Sequence, residues 1–367
     1  MRSRAGVALV AAVALTVGVA GPAVAARSTV DKKQVQANLD RMTASGALGV
    51  QARISADGRD FRARSGVARS GAGGPVSYDS RFRAASVTKP FVATVVLQLV
   101  GEGRVALDRS VSTYLPGLLP DGDRITVRNL LQHTSGLYDY LRDLYATPEE
   151  QERGLLRHWE PRQLLALATA KPLDFPPGAK WEYSNTNYVV LGQLIERVTG
   201  RSWRDEVQRR VLKPVGMRDS SIPTDRVDLP WPHAHGYLYV DGRRVDGTRL
   251  NPTSTDAAGA LVSTTADLDR FWTALFGGRL LKPAQQAELT RTTAVSPTYG
   301  LGVEVHTLAC GQQVVGHSGD MIGWLTEVFG TPDGRTRLVL SANLDALPEP
   351  DYSPVLDVVD SVFCPKP

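Results

Sequence analysis

Runs of like charge, internal repeats and low-complexity tracts are absent from this 367-residue chain. Its 42 Lys and Arg against 38 Asp and Glu leave a formal charge of only +4, with no basic cluster of the kind nucleic acid demands. No Cys-x-x-Cys occurs, which removes a dithiol redox centre, and the two cysteines and six histidines fall in no zinc-ligand spacing. His233 and His235 stand two apart in a polar loop without further ligands, so neither a metal nor another cofactor is expected. A Gly-x-Ser-x-Gly elbow is also missing. The nearest string, Gly316-His317-Ser318-Gly319-Asp320, fails that pattern. Its partial likeness to the Gly-Asp-Ser-Gly-Gly of all-β serine proteases sits in a chain with a long helical middle, so Ser318 is set aside as a nucleophile.

What the chain does contain is enough apolar side chain, 42%, for a sizeable core. Residues 1–28 run from Arg2 and Arg4 through an Ala-rich apolar stretch, short for a membrane span, to Ala23-Val24-Ala25. This is the pattern of a secretory signal. Cleavage is expected near Ala25, leaving an extracellular, envelope-associated protein without a stable membrane span, and a monomer by default. Export to an oxidising compartment makes Cys310 and Cys364 an expected disulfide.

Beyond the leader, "GVQARISADGRDFRARSGVA" (49–68) alternates about Asp57-Gly58 as a hairpin, and "TKPFVATVVLQLVGEG" (88–103) reads as a buried helix. Pro90 fits only near the start of that helix, because it has no N–H to give the turn before it. From about 105 to 250 the pattern is helical and loop-rich, as in "TVRNLLQHTSGL" (126–137) and "NYVVLGQLIERVTG" (187–200). A buried turn followed by a capped helix spans 254–278, with Thr265 or Thr264 near the cap, then strand patterns at 299–308, 312–319, 324–331 and 335–343, with Asp333-Gly334 as a turn, and a final helix at 354–363. The order predicts a mixed α/β lobe built from 26–105 and 255–367, with 106–254 inserted as a helical lobe.

Ser86 and Lys89, three apart, would share a face at the start of the predicted buried helix. Ser-x-x-Lys occurs nowhere else in the chain; Tyr-x-Asn occurs only at Tyr183–Asn185, and His-x-Gly only at His317–Gly319. A serine hydroxyl is a weak nucleophile until a neighbour takes its proton, and Lys89 is placed to reach it.

With these three motifs in this order, and with "YLPGLLPDGDRITVRNLLQHTSGLYDY" (114–140) and "EYSNTNYVVLGQLIE" (182–196), the chain resembles the penicillin-recognising serine hydrolases. These comprise class C β-lactamases, DD-peptidases and related esterases, and the likeness is strongest to secreted D-alanyl-D-alanine carboxypeptidases of Streptomyces type. The resemblance implies an α+β fold: a mainly antiparallel sheet flanked by N- and C-terminal helices, with an inserted all-α lobe. It implies Ser86 as acylated nucleophile, Lys89 and Tyr183 as the proton-handling pair with either as base, and Asn185 on the substrate amide. His317-Ser318-Gly319 would be the strand motif, and the N–H groups of Ser86 and Asp320 the oxyanion donors. Gly319 would let a substrate backbone pair along that strand. Peptidoglycan stem peptides or other small acyl compounds are the implied substrates, with β-lactams as covalent ligands.

The likeness also implies a basic residue after Tyr-Gly-Leu-Gly, a hydroxyl residue after Gly319 and an aromatic near 254. Here Val303 and Glu304, Asp320 and Ser254 stand at those places. An acid about 4 Å from a substrate carboxylate costs up to about 4 kcal/mol at intermediate dielectric. Three readings stay open: a D-Ala-D-Ala carboxypeptidase; a relative altered on the leaving-group side (esterase, β-lactamase, or D-amino-acid peptidase or amidase); or a sensor that acylates without turnover. His133, closing the "LLQHTSGL" helix, is read as structural, and Asp139 and Tyr140 as loop residues near the cleft.

Overall fold

The computed structural model describes residues 30–56, 58–345 and 353–364. The expected leader and Asp57 of the first hairpin turn lie outside them. Strands β1 (Ala47–Ala56), β2 (Arg59–Arg69) and β3 (Ala72–Pro75) come first in the chain, and a short strand β4 (Phe82–Arg83) precedes the Ser86 turn. β8 (Glu304–Thr307), β9 (Gln313–Met321), β10 (Trp324–Gly330) and β11 (Thr336–Leu344) come late. β1 to β3 and β8 to β11 form one seven-stranded sheet in the order β3-β2-β1-β11-β10-β9-β8. Its pairs are antiparallel, with Val50 opposite Ala342 and Val328 opposite His317.

Helices α1 (Lys32–Ala44) and α7 (Ser353–Phe363) cover one face. Val35, Leu39, Val358 and Val362 pack there against Ile54, Leu340 and Leu338. The other face meets α2 (Thr88–Gly101), which is apolar all round and correspondingly buried. Its Phe91 stacks on Phe271 of α6 (Thr265–Phe276), with ring centroids 3.7 Å apart. The same apolar cluster continues into α3 (Val127–Gln132), α4 (Pro161–Thr169) and α5 (Thr186–Thr199) through Leu130, Leu164 and Leu191. Of the two candidate caps, Thr264 is the one used: its hydroxyl accepts from Asp267 N at the start of α6.

The middle stretch, expected to be all helical, also holds a hairpin of β5 (Tyr237–Val240) and β6 (Arg243–Asp246). Its turn residues Asp241 and Gly242 have φ of 51° and 73°, which brings two alternating strands together without a longer loop. A short strand β7 (Val262–Ser263) pairs with β4.

Cys310 and Cys364 are bonded, with Cα atoms 5.9 Å apart, and tie the end of α7 to the β8–β9 connection. The bond spans 54 residues of sequence. Cys364→Ser is expected to lower stability by up to about 4 kcal/mol, read as an earlier urea midpoint that reductant no longer shifts.

Candidate active site

Ser86 sits in the one-turn 3-10 helix Ala85–Val87, immediately before α2. Two bonds pin this turn. Ala84 N donates to Leu261 O at 2.9 Å, and the Thr88 hydroxyl joins the Ala85 carbonyl to Leu261 N. Ala85 itself takes φ +49°, a left-handed conformation that a side chain disfavours and that persists only where its surroundings enforce it. Gly319 of β9 lies against the turn. A Cβ there would come within 2.4 Å of the Ala84 carbonyl and 3.3 Å of Ser86 N. The glycine is therefore needed for the protein's own close approach, where the sequence suggested room for substrate.

One turn on, Lys89 is fully buried. Its Nζ donates to Ser86 Oγ at 3.0 Å, Asn185 Oδ1 at 2.8 Å and the Ala258 carbonyl at 2.8 Å. Loss of water lowers the amine to about 7, against an opposing pull from Asp139. Asn185 stands at the start of α5, with its amide spanning two partners: Oδ1 accepts from Lys89, and Nδ2 donates to Asp139 Oδ2 at 2.9 Å. Asp139 is thus joined to the site through Asn185.

The Tyr183 ring lies 4.7 Å from Lys89 Nζ, and burial drives its phenol well above the ordinary value although a hydrogen bond with Ser86 lowers it. Behind it stacks His133, with centroids 4.2 Å apart. His133 ends α3 with φ +59°, and its Nδ1 accepts from Ser184 N at 3.1 Å. The ring is neutral and wholly buried, because removal from water disfavours its charged form. The sequence reading of this residue as structural holds, but the group it supports is Tyr183.

On β9, His317 lies on the far side of Tyr183, with ring centroids 6.4 Å apart. Its Nε2 pairs with the Tyr299 hydroxyl at 2.8 Å and its Nδ1 with the Ser318 carbonyl at 2.5 Å. Both ring nitrogens are therefore occupied. Burial lowers its pKa to about 4, against the pull of Glu304, so it brings no positive charge to the cleft. Glu304 bonds the outer edge of β9, with Oε1 accepting from Ser318 N at 2.9 Å and Ser318 Oγ at 2.7 Å. Burial alone would raise its carboxyl, but hydrogen bonds from His306 and Ser318 and the nearby His317 hold it at about 2. The edge of Ser318 is consequently closed to strand addition by a substrate. N–H groups two apart on a strand face the same side, so Asp320 N–H points to the same edge as Ser318 N–H.

Ser86, Tyr183, Asn185, Trp181, Glu304 and Asp320 line one cleft of about 440 Å³. No aromatic stands at 254: Ser254 is buried, and its hydroxyl and carbonyl accept hydrogen bonds from Tyr145 and Tyr140 at 2.8 and 2.9 Å. Tyr299, inside "YGLGV", and the Ala258 carbonyl escaped the sequence reading. The first carried only a strand signal there, and the second is a backbone atom with no residue signature.

The Lys89 amine is expected to titrate near 7 in a lysine-selective ¹³C NMR titration, against about 10.4 for an unperturbed lysine. Gly319→Ala should cost about 1–3 kcal/mol in urea unfolding, because the new methyl meets the fixed Ala84 carbonyl.

Comparison with known proteins agrees with this geometry. A D-stereospecific amidohydrolase from Streptomyces sp. superposes with a TM-score of 0.84 at 36% identity, covering 92% of this chain and all of that one. A D-amino acid amidase from Ochrobactrum anthropi SV3 gives 0.78 at 27% identity, covering 90% and 97%. Penicillin-binding protein 4 of Amycolatopsis lactamdurans is 31% identical over 61% of this chain and 58% of its own length. The chain spans 52–62% of the length of three such curated relatives. A family model described as Beta-lactamase matches residues 35–356, nearly the whole of the described fold. The chain is a member of the β-lactamase family of serine hydrolases.

Proposed function

We propose that this protein is a serine amidohydrolase that cleaves amides of D-amino acids through an acyl-enzyme on Ser86, with a small leaving group that carries no negative charge. The observation that carries this reading is Glu304. Ionised and bonded to both Ser318 N and Oγ, it occupies the edge where a peptide backbone or a terminal carboxylate would be held. Among the described residues, no arginine or lysine side chain lines the cleft. A free carboxylate about 4 Å from Glu304 would lose up to about 4 kcal/mol at intermediate dielectric. Ammonia or a small amine avoids that loss. The D-configuration rests on the likeness to the Streptomyces amidohydrolase and the Ochrobactrum amidase.

The reaction divides between two groups with opposed proton affinities. Lys89, half neutral near 7, takes the proton of Ser86 across 3.0 Å as Oγ attacks the carbonyl. Tyr183 holds its proton too tightly to act as a resting base, and instead donates to the departing nitrogen before recovering a proton from Lys89. The N–H groups of Ser86 and Asp320 receive the oxyanion. Water then repeats the sequence on the ester to release the D-amino acid.

A second reading is a D-alanyl-D-alanine carboxypeptidase acting on peptidoglycan stem peptides and acylated by β-lactams. The penicillin-binding relatives favour it, and Glu304 weighs against it. The leader pattern of residues 1–25 and the Cys310–Cys364 bond support export for either activity.

D-Phenylalanine amide should be hydrolysed at least about 100-fold faster, in kcat/KM, than a diacyl-D-Ala-D-Ala peptide. Preference for the free-carboxylate peptide would sink the amidase reading in favour of the second. Ser86→Ala should abolish amide turnover and labelling by a fluorescent penicillin while leaving the thermal midpoint nearly unchanged. The rate should rise with pH about a midpoint near 7 as Lys89 loses its proton.

A further inference from the structure

We propose that Asp256 is a positioning residue for the site's amine: it clamps the turn that presents the Ala258 carbonyl to Lys89. A protonated amine has three N–H bonds to give, and Lys89 gives one each to Ser86, Asn185 and Ala258. Once neutral, it keeps two N–H bonds and turns a lone pair toward Ser86. Asn185 Oδ1 and Ala258 O are the acceptors that fix this orientation.

The Ala258 carbonyl belongs to the 3-10 turn Asp256–Ala258, and that turn is strained. Asp256 takes φ +41°, unfavourable for a residue with a side chain. Its Oδ1 accepts from Trp203 Nε1 at 3.0 Å and from the Arg204 guanidinium at 2.8 Å. Its backbone carbonyl accepts from Gly259 N at 3.2 Å and Ala260 N at 3.1 Å. Asp256 Oδ2 is buried without a partner, a cost the fold tolerates here. The turn also rests on α5. At Gly192, a Cβ would meet Ala257 Cβ at 3.0 Å and Trp203 Cδ1 at 3.2 Å. The helix that begins beside Asn185 thus also supports the Ala258 turn, so both of these acceptors of Lys89 rest on α5.

Of the four non-glycine residues with positive φ among those described, three flank the site: Ala85 before Ser86, His133 behind Tyr183, and Asp256. Strain kept at such places needs an anchor, and the Trp203–Asp256–Arg204 contact supplies it.

The test is a titration of the Lys89 Cε resonance by lysine-selective ¹³C NMR, assigned by its loss in Lys89→Met. It needs no substrate, so its failure is distinct from failure of the amidase reading. The titratable groups facing Lys89 are Asp139, His133, His317, Tyr183 and Tyr188, and none is substituted. Asp256→Gly accepts the positive φ without strain but removes the clamp, and Trp203→Phe removes the indole N–H together with the five-membered ring that packs at Gly192. Losing a carbonyl acceptor disfavours the charged amine. The midpoint should fall by about half a pH unit or more in Asp256→Gly, and by less in Trp203→Phe. Asp256→Asn, which retains an acceptor oxygen, should stay within about 0.2 unit of the parent. Should Asp256→Gly not fold, Trp203→Phe decides the matter. Parent-like midpoints in the folded clamp variants would overturn the assignment.

Discussion

A primary amine kept out of water is the constraint around which this site is built. Lys89 could lower the cost of its burial by remaining neutral or by finding acceptors, and the fold provides for both. Desolvation brings its pKa to about 7, and three oxygens stand within 3.0 Å. Each of those oxygens comes from a different stretch of chain. The 3-10 turn just before the helix of Lys89 brings the hydroxyl; the start of α5 brings the amide; the 256–258 turn brings the carbonyl. An amine poised between charge states asks for this degree of enclosure, because one penetrating water would return it toward its ordinary value.

A second constraint is the contact between β9 and the Ser86 turn. Strand and turn meet so closely at Gly319 that backbone touches backbone. This brings the Ser86 turn against β9, and it makes the edge of β9 a wall of the cleft. Glu304 sets the charge of that wall. It spends its hydrogen-bonding capacity on Ser318 and His306 and leaves a negative charge where His317, neutral and fully engaged, offers none in compensation. Family membership places the chain among the serine hydrolases, and the proposed leaving-group preference rests on this edge.

Much of this was legible in the sequence for a physical reason: side-chain spacing on a helix or strand survives into three dimensions. Ser86 and Lys89 meet because three residues make most of a turn, and the Thr264 cap and the late strands follow from equally local rules. Asp333-Gly334 announced its hairpin, whereas Asp241-Gly242 carried the same signal and was passed over within a long helical stretch. Glu304 was visible as an acid in an unexpected place, but its bond to Ser318 depends on strand register. Gly319 was read as a place of close approach by substrate, and the fold adds a close approach of its own, to the Ala84 carbonyl. The Ala258 carbonyl could not be found at all, since every residue has one and only the tertiary fold selects which is used.

The first and last helices bear on how the molecule can be handled. Asn38 and Arg41 of α1 reach Asp357 of α7, so the two helices lie side by side, across the sheet from α2 and Ser86. A surface linkage, a fusion partner or a loop joining the two helices would emerge on that rear side. The protein is therefore suited to immobilisation through either helix, with its mouth left unobstructed.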